Sequence, residues 1–240
     1  MDTTTAVAIA IAGYCVGSVS MARIVTGLFA PGRFRPGPTR LHLDGSDKSM
    51  HLDTVSATSV SVQLGSRLGF LTYVLDVFKI LVPTLILKYT IHDGPYFVLF
   101  AGGGMVGHVW PAYYRFKGGR GISAAYAGLM AIDPLGFLVC SIGGMLFGLL
   151  LMRDMWTAYC AGVWAIIPWL WFRTQDPVFI AYAVVVNIVF MIGMIPETRQ
   201  WFHIRRENKW DDTTEVMQLS GMGRGLLKMA RKLGIVRKSA

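Results

Sequence analysis

Residues 177–195 read PVFIAYAVVVNIVFMIGMI, with Asp176 just before them and Glu197 two residues beyond. No residue in this run is charged. At a rise of about 1.5 Å per residue, a helix of this length nearly spans a hydrocarbon layer about 30 Å thick. The pattern recurs upstream: no charge lies between Asp2 and Arg23, Asp93 and Arg115, Asp133 and Arg153, or Asp154 and Arg173. With 53% hydrophobic residues and a mean hydropathy of +0.48, a soluble helical bundle would keep more apolar surface than one core can bury. The sequence therefore predicts an all-α integral membrane protein.

Seven crossings are expected, at residues 4–29, 68–91, 95–114, 122–132, 134–152, 155–172 and 177–195. The fourth is short for a perpendicular crossing, but the charges sort only if it crosses. With it, nineteen of the 23 Lys and Arg collect on one side, in the loop 31–67, the hairpin around Arg115–Arg120, Arg153 and the tail. Lys88 and Arg173 fall on the other side, and Arg23 and Lys79 lie within spans. Positive charge marks the cytoplasmic face, so the N-terminus is expected outside and the C-terminus inside. This divides the chain into a seven-helix membrane domain at 1–196, with its long cytoplasmic loop at 31–67, and a basic cytoplasmic or interfacial tail at 197–240. In that tail Leu219, Met222, Leu226, Met229 and Leu233 recur at helical spacing beside Lys228, Arg231 and Lys232. Such a stretch suits an interfacial helix on anionic lipid, or a helix packed on a partner protein. The apolar N-terminal run has no basic flank of the secretory type and is read as a retained first span.

The net charge of +9 points, in a membrane protein, to lipid head groups or phosphorylated substrates and not to nucleic acid. Cys15, Cys140 and Cys160 lie in apolar blocks without metal-ligand spacing, so no metal site is expected. Asp76 and Lys79 stand three apart inside a span, on one helix face, as a functional or a structural ion pair. Gly107-His108-Val109-Trp110-Pro111 is followed by Phe116-Lys117-Gly118-Gly119-Arg120-Gly121. Glycines interleaved with cations let backbone N–H groups approach a phosphate at the start of the next helix. The same residues also suit a tight basic turn, and His108 alone suits a helix contact.

The complete string resembles the GHxFPxxxxFKGGKG signature of the acyl-phosphate-dependent glycerol-3-phosphate acyltransferases, the bacterial PlsY family. Gly17-Ser18 resembles the family's Gly-Ser-Ile-Pro, with Ser20 in place of the proline. Ala57-Thr58-Ser59 and Leu64-Gly65-Ser66-Arg67-Leu68-Gly69 follow in family order. Asp76 and Lys79 match its Asp-x-x-Lys-Gly, with Ile80 for the glycine, and Arg206-Glu207-Asn208 matches its C-terminal motif. Where the family has a glycine-rich phosphate loop, this chain has His51-Leu52-Asp53-Thr54-Val55-Ser56, and Arg205 stands where the C-terminal motif has its histidine.

The resemblance implies seven crossings. It implies transfer of an acyl group from acyl-phosphate to the 1-hydroxyl of glycerol-3-phosphate, giving lysophosphatidate for phospholipid synthesis, with no cofactor. It assigns phosphate binding to Lys117, Gly118, Gly119, Arg120, Gly121 and Arg206. Ser18, His108 and Asn208 would hydrogen-bond at the reacting centre, with Asp76 and Lys79 holding the site from the second span. A bacterial plasma membrane or an organelle inner membrane would suit it. The lost glycines at 51–56 leave a second reading open, a catalytically eroded relative serving as a structural or lipid-binding subunit of a membrane complex.

Overall fold

The computed structural model describes residues 2–37, 39–42, 49–52, 54–152 and 154–208. The tail stretch at 219–233 and Asp53 lie outside the described residues. The chain is a helical, multi-pass membrane protein. Four helical stretches are long and apolar enough to cross a bilayer: Thr3–Phe29, Ser66–Thr90, Pro134–Leu151 and Pro177–His203. Phe70, Leu28 and Phe172 are 69%, 72% and 80% exposed, as lipid-facing side chains would be and as a soluble surface seldom is.

Helix α1 (Thr3–Gly17) starts at Asp2, whose carboxylate accepts from the Thr5 N–H at 2.7 Å. Helix α5 (Tyr96–Val109) runs beside it in the same direction. The Asp2 N–H donates to the Tyr96 hydroxyl at one end, and the Tyr14 hydroxyl donates to the Trp110 carbonyl near the other. The two backbones touch through Gly13 and Gly17 on α1 and Gly103 and Gly107 on α5. A Cβ at any of these would collide with a carbonyl of the facing helix. Lipid supplies no hydrophobic drive between helices, so small residues spaced four apart give the close packing that holds this pair together.

The expected first span is not continuous. It breaks after Gly17 and resumes as α2 (Met21–Phe29), with the Ser20 hydroxyl accepting from the Arg23 N–H. The third expected span is also shorter than its apolar run, because Pro111 lacks an N–H and restricts Trp110. Helix α5 thus stops at Val109, and a single turn at Ala112–Tyr114 follows. The loop after α2 holds a small antiparallel hairpin, β1 (Thr39–His42) with β2 (Ser49–Leu52), pairing Thr39 with Leu52 and His42 with Ser49. Helices α3 (Ala57–Leu64) and α4 (Ser66–Thr90) come next.

Helix α6 (Ile122–Ile132) has eleven residues, eight of them buried, so it is enclosed by protein on nearly every side. Its last carbonyls, of Ala131 and Ile132, accept from the Lys88 ammonium at 2.7 and 3.3 Å, which satisfies the negative end of the helix dipole. Helix α7 (Pro134–Leu138) begins at Asp133 and passes through two π-helical turns, Val139–Gly143 and Phe147–Leu151, on either side of α8 (Gly144–Leu146). The sixth expected span is divided into α9 (Met155–Trp164) and α10 (Ile166–Thr174). Pro168 offers no N–H to the Trp164 carbonyl, which accounts for the bend. Helix α11 (Pro177–Asn208) continues through Pro196. Ile80, Met105, Leu129, Phe190 and Met194, all fully buried, bring α4, α5, α6 and α11 into one core.

Candidate active site

The segment between α5 and α6 folds back over the end of α5. The Phe116 N–H donates to the Pro111 carbonyl and the Lys117 N–H to Tyr114, with Arg115 and Phe116 both in the left-handed region at φ 53° and 60°. Two non-glycine residues held there cost about 1–3 kcal/mol each and persist only where the surroundings demand it. The Gly119 N–H then donates to the His108 carbonyl at 3.0 Å. A Cβ at Gly118 would collide with that carbonyl, and one at Gly119 with Nε2 of the His108 ring. These two glycines are therefore required by the close approach of the hairpin to His108.

A small cavity lies at this point. Gly17 and Ser18 line it from the break between α1 and α2, Asp76 and Lys79 from α4, and His108 from α5, with Gly118 and Gly119 closing it. The Lys79 ammonium donates to Oδ1 of Asp76 at 2.7 Å and to the Val19 carbonyl at 2.7 Å, and lies 3.1 Å from Nδ1 of His108. The break after Gly17 leaves the Val19 carbonyl without a partner inside a helix, and the Lys79 ammonium supplies one. The Ser18 hydroxyl is fully buried and has no hydrogen-bond partner among the described residues.

Val55 also lines the cavity, and its N–H donates to the Gly118 carbonyl at 3.1 Å. Residues beside it serve a second polar cluster. Arg120 donates to Glu197 at 3.0 Å and to the Thr58 hydroxyl, and its guanidinium lies 4.9 Å from the Tyr159 ring centroid. Thr54 donates to the other Glu197 oxygen at 3.4 Å. The two charged side chains are 12% and 3% exposed. Four chain segments meet at this buried ion pair.

The family model for glycerol-3-phosphate acyltransferase matches residues 44–205. The chain belongs to that family. Among family relatives, the glycerol-3-phosphate acyltransferase of Methylococcus capsulatus is 31% identical over 68% of this chain and 76% of its own length. That of Mycoplasma mobile is 27% identical over 65% of this chain and 64% of its own. The chain thus spans slightly less than two thirds of the Mycoplasma protein. The crystal structure of PlsY, an integral membrane glycerol 3-phosphate acyltransferase, in its glycerol 3-phosphate form has the same fold. It aligns with a TM-score of 0.66 at 22% identity, covering 83% of this chain and 93% of that one.

Of the site residues that the family motifs indicate, Ser18, Asp76, Lys79, His108, Gly118 and Gly119 meet at the cavity. Lys117 is exposed on the hairpin, and Arg206 is exposed on the last turns of α11. Neither lines the cavity, nor does Gly121, whose φ of 89° opens α6. Arg120 is turned to Glu197. The side chains of Arg205, Glu207 and Asn208 lie outside the described residues.

Sequence reasoning missed Glu197, Thr54 and Thr58. Glu197 heads the polar segment after Pro196 and reads as the first residue of a tail, but it is 2% exposed. Its signal was an acidic residue at the end of an apolar run on the basic side. Arg23 was placed only within a span. Its guanidinium lies 4.6 Å from the Tyr114 ring centroid, and its Nε is buried without a hydrogen-bond partner among the described residues.

Proposed function

We propose that this chain transfers a fatty acyl group from acyl-phosphate to the 1-hydroxyl of glycerol-3-phosphate, releasing lysophosphatidate and phosphate. The observation that carries this reading is the convergence of Ser18, Asp76, Lys79, His108 and the Gly118–Gly119 turn on one cavity, although they are spread from position 18 to position 119 along a chain of this family. In the reaction an ester bond forms between the hydroxyl oxygen and the acyl carbon. The carbon–oxygen bond to phosphate breaks, and the hydroxyl proton leaves with the phosphate. Ser18 and His108 supply hydrogen bonds where charge develops on oxygen, the kind of fixed donor that lowers such barriers most. Lys117, exposed on the hairpin over the cavity, is the cation proposed to meet an incoming phosphate. Arg206 and Asn208, at the end of α11, are proposed to reach the same substrate.

Arg120 keeps a supporting role in this reading, since its charge is already neutralised by Glu197. The glycines missing at 51–56 weigh less than they did in the sequence. Val55 still reaches the cavity wall, and Thr54 serves the Glu197 cluster. Seven crossings with the site at the cytoplasmic surface are proposed from the charge distribution.

The test is a single assay on purified protein in nanodiscs, supplying palmitoyl-phosphate and labelled glycerol-3-phosphate and following lysophosphatidate. Product formation that falls about a hundredfold in Ser18→Ala is expected, the usual cost of losing one such donor. Absence of product from folded, monodisperse wild-type protein would reject the activity.

A further inference from the structure

An ammonium group has three N–H donors and no acceptor. Those of Lys79 meet the Val19 carbonyl at 2.7 Å, Oδ1 of Asp76 at 2.7 Å and Nδ1 of His108 at 3.1 Å. The 2.7 Å contact with Oδ1 of Asp76 is an ion pair, in which the ammonium gives hydrogens and accepts none. Nδ1 of His108 must then present its lone pair, because a proton on it would point at an ammonium. Oδ1 of Asp76 does not offer an alternative partner, lying 3.6 Å from Nδ1 and already engaged with Lys79. In a neutral imidazole the hydrogen bond made by one nitrogen decides where the proton sits, so here it sits on Nε2. That edge of the ring faces Gly119, where the missing Cβ leaves it room, beside the cavity that Ser18 also lines.

We propose that Lys79 is a positioning residue that locks His108 as a neutral imidazole with its Nε2 proton turned to the cavity. His108 then donates a hydrogen bond to an anionic oxygen bound there and does not act as a general base. The identity of that oxygen, on a phosphate or on the reacting acyl group, rests on the acyltransferase reading. The position of the proton does not.

The experiment is nitrogen NMR of the full chain in nanodiscs at neutral pH, with its five histidines labelled with nitrogen-15 and His108 assigned by its absence in His108→Gln. A proton-bearing Nε2 and a bare, hydrogen-bonded Nδ1 are expected. A proton on Nδ1, alone or together with one on Nε2, would overturn the proposal. In the double variant Asp76→Leu, Lys79→Met, chosen so that no buried charge is left alone, the Nδ1 resonance should shift as its donor disappears. An unchanged resonance would remove Lys79 from the positioning role.

The activity arm compares His108→Gln, which offers an amide donor near the place of Nε2, with His108→Glu, which offers a carboxylate acceptor. Retention within about tenfold for glutamine and a loss of about a hundredfold or more for glutamate are expected for a donor. A glutamate variant more active than the glutamine one would overturn it. Wild-type protein with the expected nitrogen resonances but no acyl transfer would sink the proposed function and leave the tautomer assignment standing.

Discussion

The buried hydroxyl of Ser18, without a partner among the described residues, costs about 1–3 kcal/mol in a protein interior. A residue retained for packing should not carry that cost. Ser18→Ala is therefore expected to raise thermal stability slightly, by about 1 kcal/mol, while lowering acyl transfer. A variant that is both less stable and fully active would show that Ser18 is a packing residue. Glu197 behaves in the opposite way. Its carboxylate holds Arg120 and Thr54, so Glu197→Ala leaves a buried guanidinium unpaired and should cost about 3–5 kcal/mol. Denaturation of the purified protein checks this. The double change Glu197→Leu, Arg120→Met should recover much of the loss, because no charge is then left alone. That His108, Gly118 and Gly119 come close together was legible from their nearness in the chain. The pairing of Arg120 with Glu197 was not, because a side chain 77 residues away leaves no local pattern.

Among the elements, the α1–α5 pair is the most demanding. Gly17 and Gly107 let the two backbones meet, and a Cβ at Gly17 would enter the space of the Gly104 carbonyl. Overpacking of this kind costs about 1–3 kcal/mol or more. Gly107→Ala is expected to lower stability by at least that much, and Gly27→Ala, where a Cβ meets nothing, should have no measurable effect. Comparison of their thermal midpoints in one detergent tests the interface. The apolar runs were legible because hydrocarbon admits only long uncharged helices. The break at Ser18–Ser20 was not, since nothing in a run of small and apolar residues reports that Lys79, sixty positions on, will satisfy the Val19 carbonyl. Pro111 follows the end of α5 and Pro168 lies in the first turn of α10, yet the spans expected at 95–114 and 155–172 ran through both.

For the molecule as a whole, the cavity lies where α1 and α5 both end, and the basic hairpin Arg115–Arg120 covers it. If that face is cytoplasmic, a lone cysteine introduced at Lys117 should react with a membrane-impermeant maleimide only from the cytoplasmic side. One introduced at Arg173, which is exposed and pairs with Asp133 at 3.0 Å, should react only from the opposite side. Labelling in sealed, oriented vesicles decides it, and the reverse pattern would invert the topology. Composition and charge-free length were sufficient to establish a helical membrane protein, because burying a charge or an unpaired peptide group in lipid is so costly that the pattern must be written into consecutive residues. The order of short motifs was sufficient to mark the family. Which of those motifs share a cavity, which cation is neutralised inside the protein and which group meets Nδ1 of His108 were settled only when α1, α4, α5, α6 and α11 packed together. Those properties depend on distances of about 3 Å between residues far apart in the chain, where hydrogen bonds and ion pairs act.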